Sequence, residues 1–483
     1  MKSLLITGDR SGSGKTSITL AISALLSKEY IVQPFKVAMD YIDPSYLTGV
    51  TGRACRNLDS FVMNPEQVKM VYDNGCIGAD IAIVEGVRGL FEGSDALTDR
   101  GSTANIAKQL DLNVILVVDA RSITRSAAAI VKGFMVLDPD VKIKGIILNQ
   151  VANETHRIKA TTAIEHYCNI PVIGAIPRTD EMKLTMRHLG LVPFLEGQVK
   201  GEFSMRKRDD PHFHQTVPDS EASCTFLQKV ETITSVIGNH IDMDALLDIA
   251  GESTAPTVIP EIFRQKRDFD IKIGVAVDEA FNFYYNDLFD ILGALGAGVT
   301  RFSPIHDRLP EADGYIIGGG YPELFAEELA ANSSIREAVC EVSANKRPIY
   351  AECGGLIYLT DRVILREGWH GQTEDKVYPM CGVFSGETVM PARRVIGYVQ
   401  GVSDAKSPLG AGEFSGHEFH HTDVRLAKDT HYSYRLTRGK GIIDNLDGAV
   451  VNRTQGSYTH LHPISVHGMI KHFTDECRKI EKN

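Results

Sequence analysis

Two stretches of this chain set reactive or charged side chains among glycines. Residues 8–16 read Gly-Asp-Arg-Ser-Gly-Ser-Gly-Lys-Thr, directly after an apolar run and before an amphipathic one. In such a loop backbone N–H groups cradle phosphates, the lysine ammonium reaches the outer ones, and the threonine hydroxyl can ligate Mg²⁺. Gly12, Gly14, Lys15 and Thr16 are therefore the nucleotide-binding candidates. Strict spacing would put glycine at position 9, where this chain has Asp9, with Gly8 one residue earlier. Magnesium at a phosphate loop takes acidic partners. Glu85 ends the apolar run 81–84 and Asp119 ends 114–118, where an acid at a strand's C-terminal end faces the nucleotide crevice. Asp40 and Asp43 add carboxylates nearby in sequence, and Asn149, after the run 145–148, could contact the base because an amide both donates and accepts. Each acid alone would more commonly be a cap or a surface residue; as a group they point to metal or acyl-phosphate chemistry.

The second stretch, residues 348–356, reads Pro-Ile-Tyr-Ala-Glu-Cys-Gly-Gly-Leu. A nucleophile on a tight strand-to-helix turn needs small neighbours, because the backbone is strained and substrate must come close. The following helix N-terminus favours the thiolate and helps an oxyanion. Upstream, residues 314–321 (Gly-Tyr-Ile-Ile-Gly-Gly-Gly-Tyr) end a strand in backbone N–H groups suited to an oxyanion hole. Downstream, Tyr458-Thr459-His460-Leu461-His462 supplies a general base. A lone cysteine is more often a small buried hydrophobe. Flanked by glycines and accompanied by both segments, Cys353 reads as a nucleophile.

The elements that must hold these groups follow from patterning. Short apolar runs at 4–7, 81–84, 114–118 and 145–148, with a weaker fifth at 172–175, read as buried strands. Amphipathic stretches such as 17–26 and 127–136 lie between them, so the first 199 residues read as a parallel α/β domain. Residues 200–222 are polar and read as a surface insertion, 223–250 as helical, and 251–270 as a second linker. A new α/β unit opens at 271 and runs to about 475.

Composition excludes several function classes. The chain has 483 residues, 43% hydrophobic and 23% charged, an ordinary globular balance rather than a disordered one. A net charge of −11 argues against binding nucleic acid or an anionic membrane through the overall field. The eight cysteines are dispersed with no Cys-x-x-Cys pair, which suggests reduced thiols in a cytoplasmic enzyme. No apolar run approaches the ~18 residues of a membrane span.

Taken in order, these residues resemble the cobyrinic acid a,c-diamide synthases. The phosphate loop, the run 36–59 with Asp40-Tyr41-Ile42-Asp43-Pro44, and Val84-Glu85-Gly86-Val87-Arg88-Gly89-Leu90 carry the match in the first half. Gly318-Gly319-Gly320-Tyr321-Pro322-Glu323-Leu324, the Cys353 turn and Gly416-His417-Glu418-Phe419-His420 carry it in the second. The resemblance implies a dethiobiotin-synthetase-like ATPase domain joined to a class I glutamine amidotransferase domain. It implies amidation of two peripheral carboxylates of a tetrapyrrole, with MgATP and L-glutamine or ammonia consumed. Close relatives in methanogens act on nickel-sirohydrochlorin, and Val37-Ala38-Met39, where many members carry Val-Gly-Pro, points towards that branch.

By the same resemblance Cys353 and His460 are the glutaminase pair, His460 standing two after Tyr458, with His462 the alternative base. Many class I amidotransferases follow the base as His-x-Glu; here His460-Leu461-His462 offers no acid, so the third member is unassigned. Thr16, Asp43 and Glu85 would hold Mg²⁺. Asp40, Tyr41, Arg53, Arg56 and Arg88 would meet the substrate, a guanidinium fork suiting its other carboxylates. His417, His420 and His421 would line a pocket rather than hold a metal. A homodimer is the assembly to consider. Two competitors are a P-loop positioning ATPase, whose signature lysine is replaced here by Arg10, and cobyric acid synthase, which amidates other corrin carboxylates.

Overall fold

The computed structural model describes residues 1–179 and 223–480. The insertion expected at 200–222 lies outside them. The chain forms two units that meet in sequence between Pro260 and Glu261. No helix of the described residues is long and apolar enough to cross a membrane.

The first unit holds strands β1 (Lys2–Gly8), β2 (Val32–Val37), β3 (Arg56–Leu58), β4 (Ile81–Glu85), β5 (Val114–Asp119), β6 (Ile143–Val151), β7 (Val172–Pro177) and β8 (Gly251–Glu252). Their order is β3-β2-β4-β1-β5-β6-β7, with β8 paired to β1. All pairs are parallel except β1 with β8. Helices cover both faces of such a sheet, so its central strands are continuous apolar runs: Leu4, Leu5 and Ile6, or Ile81 to Val84, are all buried. Because the strands are parallel, the ends of β1, β4 and β5 deliver the phosphate loop, Glu85 and Asp119 to one edge.

Residues 223–250 belong to the first unit. The helices Ser223–Gly238 and Met243–Ile249 put Ile233, Ile237, Ile241, Leu246 and Ala250 into one core with Leu4, Ile18, Ile22 and Ile83. Burial of that apolar stripe, together with β8 on β1, makes the segment part of the first unit. The expected second linker divides as well, since Phe263 is buried and lies past the boundary at Pro260.

The second unit holds β9 (Ile271–Ala276), β10 (Ala297–Phe302), β11 (Gly314–Ile317), β12 (Ile349–Glu352), β13 (Thr360–Leu365), β14 (Lys376–Pro379), β15 (Phe384–Met390), β16 (Val395–Ser403), β17 (Gly412–His420), β18 (Asp423–Leu426), β19 (His431–Arg438), β20 (Leu446–Val451), β21 (Thr454–Ser457) and β22 (Thr459–Leu461). The main sheet runs β10-β9-β11-β12-β21-β20-β19-β16-β17-β22, parallel through β21 and antiparallel beyond. A smaller sheet, β14-β13-β15-β18, stands apart from it. Tyr458 alone separates β21, in mid-sheet, from β22, at its end, so the antiparallel half must curl back on itself. The pivot is pinned by Asp447, which is fully buried and accepts from Tyr458 N (3.0 Å), Thr459 N (2.9 Å) and Thr459 Oγ1 (2.7 Å).

Candidate functional site

The phosphate loop runs from β1 into the helix Lys15–Leu26. Gly14 has φ 91°, and a Cβ there would stand 2.2 Å from Asn149 Nδ2, so glycine is required. This contact corrects the expectation for Asn149. Its Nδ2 donates to Ser13 O (2.8 Å) and its Oδ1 accepts from Gln150 N (2.9 Å), with the residue buried. It braces the loop from behind instead of reaching for a base. Asp119 is likewise occupied: Arg121 clamps its carboxylate at 2.9 and 2.5 Å.

The three expected metal ligands do come together. Thr16 Oγ1 donates to Glu85 Oε1 at 2.6 Å and lies 3.4 Å from Asp43 Oδ2. Sequence reasoning missed the group between them, Lys36. Its Nζ bonds Asp43 Oδ2 (2.5 Å) and Glu85 Oε1 (2.8 Å) while the residue is 1% exposed. Burial opposes charge on Lys36, but Asp43 and Glu85 outweigh it and hold the ammonium above its ordinary range. Burial also works to raise Asp43, yet Lys36 and Lys15 keep it below the usual carboxylate range. Glu85, more deeply enclosed, is pushed up by burial despite Lys36. Lys15 is lowered by burial and by Lys36 beside it. The signal for Lys36 was a lysine inside a strand whose every residue is buried.

Glu85 Oε2 is buried with no hydrogen-bond partner among the described residues. An unsatisfied carboxylate oxygen is costly, and a hard cation with oxygen ligands would satisfy it. Thr16, Asp43 and Glu85 therefore fit a magnesium ion.

The expected substrate residues divide. Asp40 Oδ1 accepts from Ile42 N (2.8 Å) and Asp43 N (3.2 Å), holding the first turn of the helix Ile42–Thr51, and Tyr41 just precedes that helix. Arg88 is exposed in the loop after β4. Arg56 opens β3 level with Phe35, which pairs on its other side with Val84, one residue before Glu85. Arg53 is a correction: its guanidinium bonds Gln33 Oε1, Gly75 O and Ile77 O, each at 2.9 Å. It satisfies carbonyls at the end of the helix Pro65–Cys76 and braces the fold. Arg53→Ala is accordingly expected to destabilise the chain by about 1–3 kcal/mol. A lowered melting temperature with amidation preserved below it would bear this out, and an unchanged melting temperature with a raised substrate KM would return Arg53 to the substrate.

In the second unit β12 ends at Glu352 and Cys353 turns the chain into the helix Gly354–Leu359. Cys353 has φ 46° and ψ −97°, an unfavourable region for any residue with a Cβ. A Cβ at Gly355 would stand 2.1 Å from Ile317 O, which explains why small neighbours follow the cysteine. Register does the rest. Glu352 pairs with Ser457 across β12 and β21, and Cys353 N donates to Ser457 O (2.7 Å), so His460 arrives beside the thiol three residues later.

His460, 1% exposed, has Nδ1 3.3 Å from Glu352 Oε2 and lies near enough to Cys353 to feel its charge, while the Cys353 thiol donates to Phe419 O at 3.5 Å. Burial opposes its charge, but Cys353 and Glu352 outweigh burial and raise the imidazole to about 10. His462, the alternative base, faces Asp287 Oδ2 at 3.7 Å and packs on the Tyr285 ring at 4.5 Å. His417 stacks on His460 at 4.8 Å and His420 on Tyr458 at 3.6 Å, so both belong to the surroundings of this pair.

Comparison with known proteins agrees with this arrangement. A family profile described as "CobQ/CobB/MinD/ParA nucleotide binding domain" matches residues 4–192, and one described as "CobB/CobQ-like glutamine amidotransferase domain" matches residues 272–466. A protein of Methanosarcina acetivorans named cobyrinate a,c-diamide synthase is 46% identical over 96% of this chain and 92% of its own length. One of the same name from Methanothermobacter thermautotrophicus is 40% identical over 98% of both. With a phosphate-loop domain and an amidotransferase domain in the same order along the whole length, the chain belongs to the cobyrinate a,c-diamide synthase family of amidating ligases.

Proposed function

We propose that this enzyme uses ATP and glutamine to convert the a and c side-chain carboxylates of cobyrinate to amides through acyl phosphates. The observation that carries the reading is one chain holding both a lysine-and-carboxylate cluster at a phosphate loop and a Cys353–His460 pair. In the first unit a substrate carboxylate oxygen attacks the γ-phosphorus of ATP, the bond to the bridging oxygen breaks, and ADP leaves. Lys15 and the loop amides stabilise the charge that moves, so catalysis there is positioning and electrostatics. Thr16, Asp43 and Glu85 would hold magnesium, which supplies charge neutralisation at the phosphates. Lys36 bonds both carboxylates and holds them in place.

In the second unit the Cys353 sulfur, having passed its proton to His460, attacks the glutamine side-chain carbon. His460 returns that proton to the departing ammonia, and water then hydrolyses the thioester to glutamate. Ammonia displaces phosphate from the acyl phosphate and gives the amide. Backbone N–H groups of Gly320 and Gly354 are the donors for the oxyanion, since a Cβ on Gly354 would lie 3.0 Å from Gly320 N, whereas Gly318 N already donates to the Tyr284 hydroxyl at 2.7 Å.

Mass analysis of the product from cobyrinate, ATP and glutamine tests the proposal: two carboxylates become amides, and four amidations would identify cobyric acid synthase instead. The run Val37-Ala38-Met39 supports nickel-sirohydrochlorin as a second substrate. Turnover on each tetrapyrrole in parallel decides between them.

Asp43→Asn and Glu85→Gln are each expected to bind nucleotide, because the loop and Lys15 make the phosphate contacts, yet to lose about 10²-fold in amidation rate. Equilibrium nucleotide binding alongside saturated turnover is the measurement. Weak binding with normal turnover would remove these acids from the catalytic cluster.

A further inference from the structure

The family resemblance leaves the glutaminase histidine without its usual downstream acid, and the position where it would stand is His462, which is engaged with Asp287. We propose that Glu352, the residue immediately before the nucleophile, is the carboxylate that orients His460. The proposal rests on the reading of Cys353 and His460 as the glutaminase pair.

The geometry makes Glu352 a clamped group rather than a chance neighbour. Its Oε2 faces His460 Nδ1 at 3.3 Å, and its Oε1 accepts from Leu461 N at 2.9 Å and from the Tyr350 hydroxyl. Tyr350 and Glu352 are two apart on β12, so their side chains leave the same face of the sheet, and both are buried. The carboxylate is thus held from one side by a phenol and from the other by the strand that carries the histidine. An imidazole that gives its Nδ1 proton to Glu352 leaves Nε2 for the thiol proton, which the raised imidazole takes up before glutamine is attacked. When it does so, the imidazolium forms against a carboxylate already in place.

Among the described residues Glu352 is the carboxylate recorded at the ring. Glu352 from β12, Cys353 at the turn, and His417 and His420 from β17 face His460, with His462 beyond Leu461 on its own strand. Burial depresses His417 and His420, so both are neutral and supply no countercharge. The orienting acid has moved from two residues after the base to one residue before the nucleophile, where β12 and the β21–β22 pivot bring it to the same ring.

A purely structural Glu352 would serve Leu461 N and the Tyr350 hydroxyl through Oε1, and glutamine at 352 preserves that acceptor while removing the charge. In full-length Glu352→Gln, glutaminase kcat is expected to fall by about 10²–10⁴-fold with the glutamine KM within a few-fold. The pH at which iodoacetamide alkylates Cys353 should move upward, because the imidazolium that pairs with the thiolate has lost its partner. Tyr350→Phe, which loosens the same carboxylate, should lower kcat by about tenfold, the worth of one hydrogen bond, and carries the test if the glutamine variant does not fold. A wild-type kcat and alkylation profile in a folded variant would overturn the role of Glu352. Glutaminase activity surviving in Cys353→Ala would instead overturn the reading of the pair on which it rests.

Discussion

Replacing Cys353 with alanine is expected to stop glutamine-supported amidation, by about 10³-fold or more, while amidation from concentrated ammonium salt continues. The division of labour argued above is the reason. In the proposed mechanism the thiol serves to release ammonia from glutamine, and free NH₃ can reach the acyl phosphate without it. The ammonia route should accelerate with rising pH, because NH₃ and not NH₄⁺ is the nucleophile, until the acyl phosphate or the fold fails. His460→Ala should show the same selective loss. Measuring product from each nitrogen source with matched, folded proteins is sufficient. Equal loss of both activities in a variant that still binds nucleotide would break the two-site mechanism. Retention of the glutamine-dependent activity would pass the nucleophile's role to another thiol.

The complementary variant is Lys15→Ala, which should abolish amidation with either nitrogen source. The ammonium is half-buried beside Lys36, Glu85 and Asp43, where burial already works against its charge. Placing a cation there against that cost makes sense where it meets charge developing on a phosphoryl group. Removal of such a contact commonly costs about 10²–10³-fold in rate. Glutamine hydrolysis, chemistry of the other unit, should persist at least in part. Near-normal amidation by Lys15→Ala would sink the assignment of residues 8–16 as the ATP site.

What could be read in the sequence was whatever is local. The phosphate loop and the cysteine turn each pack their glycines, charge and flanking elements into about ten residues, so type and order alone pointed to them. The buried apolar strands β1, β4, β5, β6 and β7 were equally visible, since parallel strands covered on both faces read as unbroken hydrophobic runs. Strand β2 was not, because Gln33, Pro34 and Lys36 interrupt its apolar pattern. Its polar residues are buried to meet partners far along the chain: Gln33 meets Arg53, and Lys36 meets Glu85, 49 residues on. Asn149 carried the right chemistry for a base contact but was claimed by Ser13, 136 residues earlier, a contact that exists only after β1 and β6 flank β5. Glu352 lay in plain view beside Cys353, yet its meaning depended on a histidine 108 residues away. Residues 223–250 looked like a helix without an evident home, and the home was the core beneath the phosphate-loop helix.

The left-handed backbone at Cys353, φ 46°, bears on how this enzyme could be improved for use outside the cell. A side chain with a Cβ in that conformation costs about 1–2 kcal/mol that glycine would not incur. Any campaign that selects variants for heat resistance alone will thus meet Cys353→Gly as an attractive substitution, and will lose the use of glutamine when it accepts it. Screening has to score nitrogen transfer alongside melting temperature, or position 353 has to be held fixed from the start.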